Sequence, residues 1–244
     1  MIHLDAATVL LQWATGGLLF LWFTTHRHDV GRGYGWLLRG SFFVISAGAC
    51  ASGLAFGSSP VRDTAAALVA VSSLLTVRRK NMRWDLLAPC IGFVGLIAAG
   101  FNSASGSGAT TVALLRIFVG AVFLGAVTDA MLLGHWYLVQ PGLPRQILNE
   151  LVDTVFWILP FETAMLLLPT GMISVFNGSI DDGWNGVLGW FWLACVVTTG
   201  VLVKVTKAAL RERSYSAVMA ATGLMYLAIL TAFGTDLVAR AVLA

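Results

Sequence analysis

The chain has few charged residues: 11% of its 244 residues are Asp, Glu, Lys or Arg, against about 25% in soluble domains. With 58% hydrophobic residues and a mean hydropathy of +0.83, this composition excludes an ordinary soluble domain. The net charge of +3 does not indicate nucleic-acid binding, because the basic residues form short clusters between apolar runs. We therefore predict a multi-pass protein of a lipid bilayer, in a bacterial inner membrane or an equivalent one, with no nucleic-acid partner.

Residues that commonly perform chemistry are also scarce. Cys50, Cys90 and Cys195 each lie alone in an apolar run without a CxxC pair, which is typical of small buried hydrophobic side chains. No HExxH, GxSxG or phosphate-binding loop is present, so an enzymatic activity stays undecided. Only one of the four histidines, His135, lies inside an apolar run, which argues against bis-histidine haem ligation by this chain alone.

Apolar runs of about 20 residues, the length that crosses the hydrocarbon core, predict an all-α bundle of about eight transmembrane helices. The predicted spans are residues 5–24, 37–57, 61–77, 86–101, 112–139, 147–177, 186–209 and 215–241. The third and fourth are short, and a re-entrant pair there is an alternative that leaves the later orientation unchanged. Because every connection is short, we predict a single transmembrane domain over residues 1–244.

The positions of the basic residues predict the orientation of these spans. Twelve of the fifteen Lys and Arg residues lie in or beside alternate loops: Arg27, Arg32, Arg39, Arg78, Arg79, Lys80, Arg83, Arg145, Lys204, Lys207, Arg211 and Arg213. Only Arg62, Arg116 and Arg240 belong to the other side. Since cytoplasmic loops are enriched in Lys and Arg, both termini are predicted to face outward.

One stretch, residues 129–162, combines ionisable residues with apolar runs. A charge near the bilayer centre costs at least about 2.5–3.5 kcal/mol, so each such residue needs a partner or a task. At about 1.5 Å of rise per residue, Glu162 is predicted near the midplane and Asp129 slightly to its inner side. His135, Glu150 and Asp153 are predicted near the inner interface, where a short turn would bring the imidazole and a carboxylate within hydrogen-bond reach.

A histidine beside a carboxylate can ligate a haem iron or exchange protons with a quinone. Flat apolar walls for a quinone headgroup would come from Trp136 and Tyr137 next to His135, and from Trp157 one turn beyond Asp153. The cofactor-binding prediction therefore comprises His135, Trp136, Tyr137, Glu150, Asp153 and Trp157. The alternative is an interfacial histidine that caps a helix end and pairs with an inner carboxylate.

The two deeper carboxylates predict a different function. Asp129 and Glu162 lie at the depth where transporters place proton-binding groups. Pro160 and Pro169 interrupt the sixth span, and a proline kink beside Glu162 would free backbone carbonyls near the midplane.

Four hypotheses follow. The first is a membrane subunit of an electron-transfer or respiratory complex, with a quinone or single-histidine haem site near His135 and redox subunits as partners. The second is a proton-coupled transporter of a small solute that uses Asp129 and Glu162. The third is a structural membrane subunit with no site of its own. The fourth, an enzyme acting on a lipid-soluble substrate, has the weakest support because no nucleophile set is visible.

Overall fold

The structure, a computed structural model, describes residues 5–27, 29–77, 82–103, 106–168 and 171–243. Throughout these ranges the regular secondary structure is helical. The helices are α1 (Ala6–Thr25), α2 (Arg32–Phe56), α3 (Pro60–Thr76), α4 (Leu87–Ser103), α5 (Ser107–Trp136), α6 (Arg145–Leu167), α7 (Met172–Phe176), α8 (Val187–Ala209) and α9 (Tyr215–Val242), with a short 3₁₀ helix at Met82–Leu86 before α4. The predicted all-α class is confirmed.

Six of the described helices are long and apolar enough to cross a membrane. They are α1, α2, the segment Arg83–Ser103, α5, α8 and α9. Helix α3 is shorter, at 17 residues, and α6 carries several charged side chains along its length. The chain thus has the helices of a membrane-spanning protein, with α3 and α6 as the two members that differ in length or polarity.

Local sequence explains where several helices begin. The carboxylate of Asp5 accepts a hydrogen bond from the Ala7 amide at 3.1 Å and caps α1. The Ser214 hydroxyl accepts one from the Ala217 amide at 3.2 Å and caps α9. Both contacts satisfy amides that have no partner within the first turn of a helix.

The predicted sixth span, residues 147–177, is not one helix. Helix α6 continues through Pro160 but ends at Leu167. Leu168 is extended (φ −113°, ψ 155°), as expected for a residue that precedes a proline; Pro169 itself lies outside the described residues. Gly171 lies close to the end of α6, since a Cβ on it would lie only 2.8 Å from the Leu166 carbonyl carbon. The short helix α7 follows.

The chain divides into two compact units, an N-terminal unit of residues 5–129 and a C-terminal unit that begins at Ala130. In the N-terminal unit, α1 packs against α2, α4 and the first part of α5. Its contact with α5 is very close: a Cβ on Gly16 would lie 2.7 Å from the carbonyl carbon of Ala121 and 3.3 Å from the Cα of Gly125. Small residues at such crossings allow helix backbones to approach in lipid.

In the C-terminal unit, α8 packs against α6 and α9. The Thr199 hydroxyl of α8 donates to the Thr231 hydroxyl of α9 at 2.7 Å. Beside the α6–α7 turn, a hydrophobic cluster surrounds Trp192, which is 1% exposed. The other buried members of that cluster are Leu166, Met172, Val175, Ala239, Val242 and Leu243.

Candidate functional site

Asp129 lies on α5 as the last residue of the N-terminal unit and is completely buried (0% exposed). Neither of its carboxyl oxygens has a hydrogen-bond partner within the described part of the chain. Buried carboxylates are normally paired or hydrogen-bonded, because a buried polar atom without a partner costs about 1–3 kcal/mol and more when charged. Asp129 is therefore an exception that needs a functional explanation.

Tyr34, in the first turn of α2, is the aromatic neighbour of Asp129. It is also completely buried. Its hydroxyl donates a long hydrogen bond, 3.5 Å, to the main-chain oxygen of Asp129. Sequence reasoning did not identify Tyr34, because the glycine-rich segment RGYG was assigned to the loop before the second span.

A second buried polar group occupies the same end of the N-terminal unit. Arg39 of α2 donates to Asp85 of the 3₁₀ helix at 2.5 Å, and the two side chains are 7% and 2% exposed. Thr25, at the end of α1, donates to the other oxygen of Asp85 at 3.5 Å. Removing either side chain would leave the other as a buried charge without its counter-charge, so each member of the pair is needed to balance the other.

The opposite end of the N-terminal unit holds a third charged cluster. Arg62 binds the carboxylates of Asp5 and Asp63 and donates to the Gly57 carbonyl at 2.6 Å. Asp63 in turn accepts from the Ser59 amide at 2.8 Å. This network fastens the start of α1 to the start of α3, and its hydrogen bonds account for a structural role.

His135, the centre of the predicted cofactor site, lies in the last turn of α5 in the C-terminal unit and is exposed. Its ring packs edge-on against Tyr226 of α9, with centroids 6.1 Å apart and an interplanar angle of 87°. Among the described residues it makes no hydrogen bond to Glu150 or Asp153.

The two carboxylates of that predicted site have other partners. Glu150 accepts a hydrogen bond from Gln146, one turn earlier on α6, at 2.8 Å. Asp153 pairs with Lys207 of α8 at 2.8 Å. The Lys207 ammonium also lies 4.1 Å from the centroid of the Phe156 ring, which adds a cation–π contact. Asp153 therefore joins α6 to α8 through a partly exposed ion pair.

The three aromatic residues of the predicted site are dispersed. Trp136 donates from its indole nitrogen to Gln140 at 3.2 Å. Trp157 is 66% exposed on α6. Tyr137 is buried and its hydroxyl donates to the Pro144 carbonyl at 2.8 Å, which closes the α5–α6 loop. Burial raises the pKa of Tyr137 to about 12, although nearby Arg145 lowers it in part.

Glu162, the second predicted proton-transfer residue, lies in the C-terminal unit two residues after Pro160. It is 1% exposed and lies in the second half of α6.

Comparisons with protein-family models, curated proteins and solved structures found no match to this chain. The described residues also contain no group of three His, Cys, Asp or Glu side chains placed to hold a metal ion. The buried side chains themselves are therefore the basis for assigning a function.

Proposed function

We propose that the protein is a proton-coupled membrane transporter of a small solute, in which Asp129 binds and releases the proton. The observation that supports this function best is the burial of Asp129 with no hydrogen bond to either carboxyl oxygen. An ionised carboxylate in such a place is costly, so the group must bind a proton or another cation. Ionisable residues that persist inside a membrane typically belong to proton or ion pathways.

The position of Asp129 along α5 agrees with this role. Trp136, at the end of the helix, lies seven positions further along, which is about 10 Å at 1.5 Å per residue. In a hydrocarbon core about 30 Å thick, the carboxyl group lies well inside the apolar region. Protons from water reach this depth only through other polar groups.

Within this proposal, α3 and α6 also cross the membrane, giving eight spans with both termini outside. Helix α3, at 17 residues, is about 25 Å long, a length that a bilayer can match by local thinning. The charges of α6 include Asp153, which is already paired with Lys207, and the buried Glu162, a second candidate for proton binding. The concentration of Lys and Arg in alternate loops supports the orientation.

The decisive experiment records charge movement in proteoliposomes adsorbed on a solid-supported membrane. A proton concentration jump of about tenfold should give a transient current with the wild type and none with Asp129→Asn, because an amide cannot take up the proton. Asp181→Asn is the matched control: the same substitution at an exposed loop aspartate should leave the current unchanged. Equal currents from wild type and Asp129→Asn would refute the proposal. Uptake of a panel of radiolabelled sugars, amino acids and organic acids under the same proton gradient then identifies the solute class.

A second candidate function is a quinone-binding subunit of an electron-transfer complex, with redox subunits as partners. The exposed imidazole of His135 with Tyr226 edge-on beside it favours this candidate, since a quinone headgroup can lie against an aromatic ring and bond to the imidazole. A short-chain ubiquinone analogue should quench tryptophan fluorescence of the wild type and bind about tenfold more weakly to His135→Ala. His26→Ala is the control, because His26 stacks on Trp22 in the N-terminal unit. Equal affinities for all three proteins would exclude His135 as the quinone ligand, and a Soret band that vanishes in His135→Ala would assign a haem instead.

A further inference from the structure

We propose that the C-terminal unit binds an anionic phospholipid where α6 and α8 lie side by side, with the lipid phosphate held by Lys204 and Arg211 and an acyl chain along the two helices. The surface between the helices, called the α6–α8 groove below, is lined by Trp157 and Pro160 of α6 and by Val197 of α8. The site goes beyond the transport function proposed above, because it shares no residue with the proton-binding carboxylate.

Contacts between the two helices show which flank of α8 faces α6. The Lys207 ammonium bonds to Asp153 at 2.8 Å and lies 4.1 Å from the centroid of the Phe156 ring. Further along, a Cβ on Gly200 would lie 3.5 Å from a methyl carbon of Leu159. Residue numbers thus rise along α6 as they fall along α8, so the helices are antiparallel. The flank of α8 that carries residues 200 and 207 is the one beside α6.

Three basic residues lie on this flank of α8. Lys207 follows Lys204 by three positions and Arg211 follows Lys207 by four, the spacings at which side chains share one side of a helix. Arg211 lies just after α8, but Leu210 keeps a helical backbone (φ −66°, ψ −12°) and the Arg211 amide donates to the Ala208 carbonyl at 3.2 Å. The helical turn therefore continues far enough to place all three cations along the α6–α8 groove.

The positive charge at this end of the groove is only partly balanced. Lys207 has its counter-charge in Asp153. Lys204 and Arg211 are exposed, and neither forms an ion pair with a carboxylate in the part of the chain that the structure describes. Arg145 adds a further positive charge at this end, since its guanidinium group binds carbonyl oxygens of the α8–α9 loop. Lys and Arg side chains donate strong, charge-assisted hydrogen bonds to phosphate oxygens.

The groove becomes apolar on the other side of Lys204. The Trp157 and Val197 side chains are 66% and 56% exposed, and Pro160 is exposed as well. Gly200, which carries no side chain, leaves the surface between these residues low. Val197 lies seven positions before Lys204, about 10 Å along the helix axis. The groove therefore runs from the level of the cations into the apolar part of the membrane.

This combination of cations at one end and apolar walls at the other fits an amphiphile with a negative headgroup. In a phospholipid the phosphate lies at the membrane surface and the acyl chains enter the hydrocarbon. The Lys and Arg distribution assigns the basic end to the inner side, and basic pockets between membrane helices on that side bind anionic headgroups. Inorganic phosphate would use the cations but leave the apolar walls uncovered. A second copy of the chain would cover the walls but leave the cations unbalanced.

Native mass spectrometry of the full-length protein, released from detergent micelles, tests the headgroup contact. Dioleoylphosphatidylglycerol is the anionic probe, and dioleoylphosphatidylcholine has the same acyl chains without a net charge. The wild type should bind the anionic lipid at least about tenfold more tightly than the zwitterionic one. The double variant Lys204→Gln with Arg211→Gln should lose at least about tenfold of that affinity, because each basic residue near a membrane surface contributes about fivefold.

Two further double variants separate this site from attraction by overall charge. Arg27→Gln with Arg32→Gln is the matched control, since it removes two exposed arginines on the same predicted side of the membrane but outside the C-terminal unit. It should bind the anionic lipid as the wild type does. Lys204→Arg with Arg211→Lys retains both charges and should retain the affinity. All four substituted positions are exposed, and far-UV circular dichroism of each variant checks its folding.

The same lipid with brominated acyl chains tests the groove, because bromine quenches tryptophan fluorescence at short range. At about one lipid per protein, the quenching should be clearly smaller in Trp157→Phe than in the wild type. Equal quenching in both proteins would place the acyl chain elsewhere and refute the groove.

Four other results would overturn the proposal. The first is equal binding of the two lipids by the wild type. The second is wild-type affinity in Lys204→Gln with Arg211→Gln, or an equal loss in the Arg27 and Arg32 control. The third is complete displacement of the anionic lipid by inorganic phosphate, which would show that the cations hold free phosphate. The fourth is a dimer without bound lipid, which would show that a second copy of the chain covers the groove.

Discussion

Replacing Gly16 by alanine should destabilise the protein by forcing α1 away from α5. The new Cβ would lie 2.7 Å from the Ala121 carbonyl carbon, and its carbonyl oxygen is closer still, whereas ordinary van der Waals contact begins at 3.4 Å. The opposing atoms belong to the backbone of another helix and cannot rotate away. The two helices must therefore separate by about 1 Å, and a gap of that size forfeits a quarter to a half of the dispersion energy along the contact.

The expected loss for Gly16→Ala is about 2 kcal/mol. Overpacking of a well-packed interior costs about 1–3 kcal/mol, and contact with a rigid backbone places this site near the upper limit. Alanine returns about 1 kcal/mol through its higher helix propensity. The loss is measured as the change in unfolding free energy during titration with sodium dodecyl sulfate, followed by circular dichroism.

Gly40→Ala on α2 is the control, because a Cβ at Gly40 meets no atom within 4 Å. It should be neutral or stabilising by up to about 1 kcal/mol. If Gly16→Ala unfolds within about 0.5 kcal/mol of the wild type, the threshold below which surface substitutions usually fall, α1 and α5 do not touch at this glycine.

Three further outcomes are expected. Arg39→Met should lower the unfolding free energy by about 3–5 kcal/mol, because it leaves an unpaired charge on Asp85. The double variant with Asp85→Leu should recover much of that loss in the same titration. Additive losses would mean that the two side chains are independent. Burial raises the pKa of Tyr137 in the folded protein to about 12, against an ordinary 10.0. The neutral phenol therefore contributes to stability fully below pH 10, and this contribution is lost as the pH rises toward 12. Alkaline unfolding curves of the wild type should show this loss, and those of Tyr137→Phe should not. Topology reporters fused after Arg83 and after Arg213 should both read cytoplasmic, and a reporter at residues 177–186 should read external; a single opposite reading contradicts the eight-span arrangement.

Helix positions were predictable because lipid imposes a length and a hydropathy on each span. The predicted span 186–209 corresponds to α8 and the predicted span 215–241 to α9 within one residue at each end. The start of α2 was placed five residues late, at 37 instead of Arg32, because Gly33 and Gly35 resemble a loop. In the structure Gly35 is helical and makes space for the guanidinium group of Arg39, a tertiary requirement that hydropathy does not encode.

The candidate site was only partly predictable for a related reason. Asp129 stood out because a carboxylate inside an apolar run is rare, and the structure buries its side chain completely. Its neighbour Tyr34 comes from another helix, and the approach of the two residues depends on the rotation of each helix about its axis. Mostly apolar helices carry little information on that rotation. For the same reason the partner of Asp153, Lys207 on α8, could not be chosen from depth alone.

The loop between α8 and α9 is held by a side chain of another helix. Arg145, at the start of α6, donates to the carbonyl oxygens of Glu212, Arg213 and Ser214 at 2.7, 2.8 and 2.9 Å. A trypsin-like protease that cuts after Arg213 must draw that same carbonyl oxygen into its own oxyanion hole. As long as Arg145 binds that oxygen, the peptide bond after Arg213 is shielded from cleavage without being buried, and it becomes a substrate only when α6 separates from the α8–α9 hairpin.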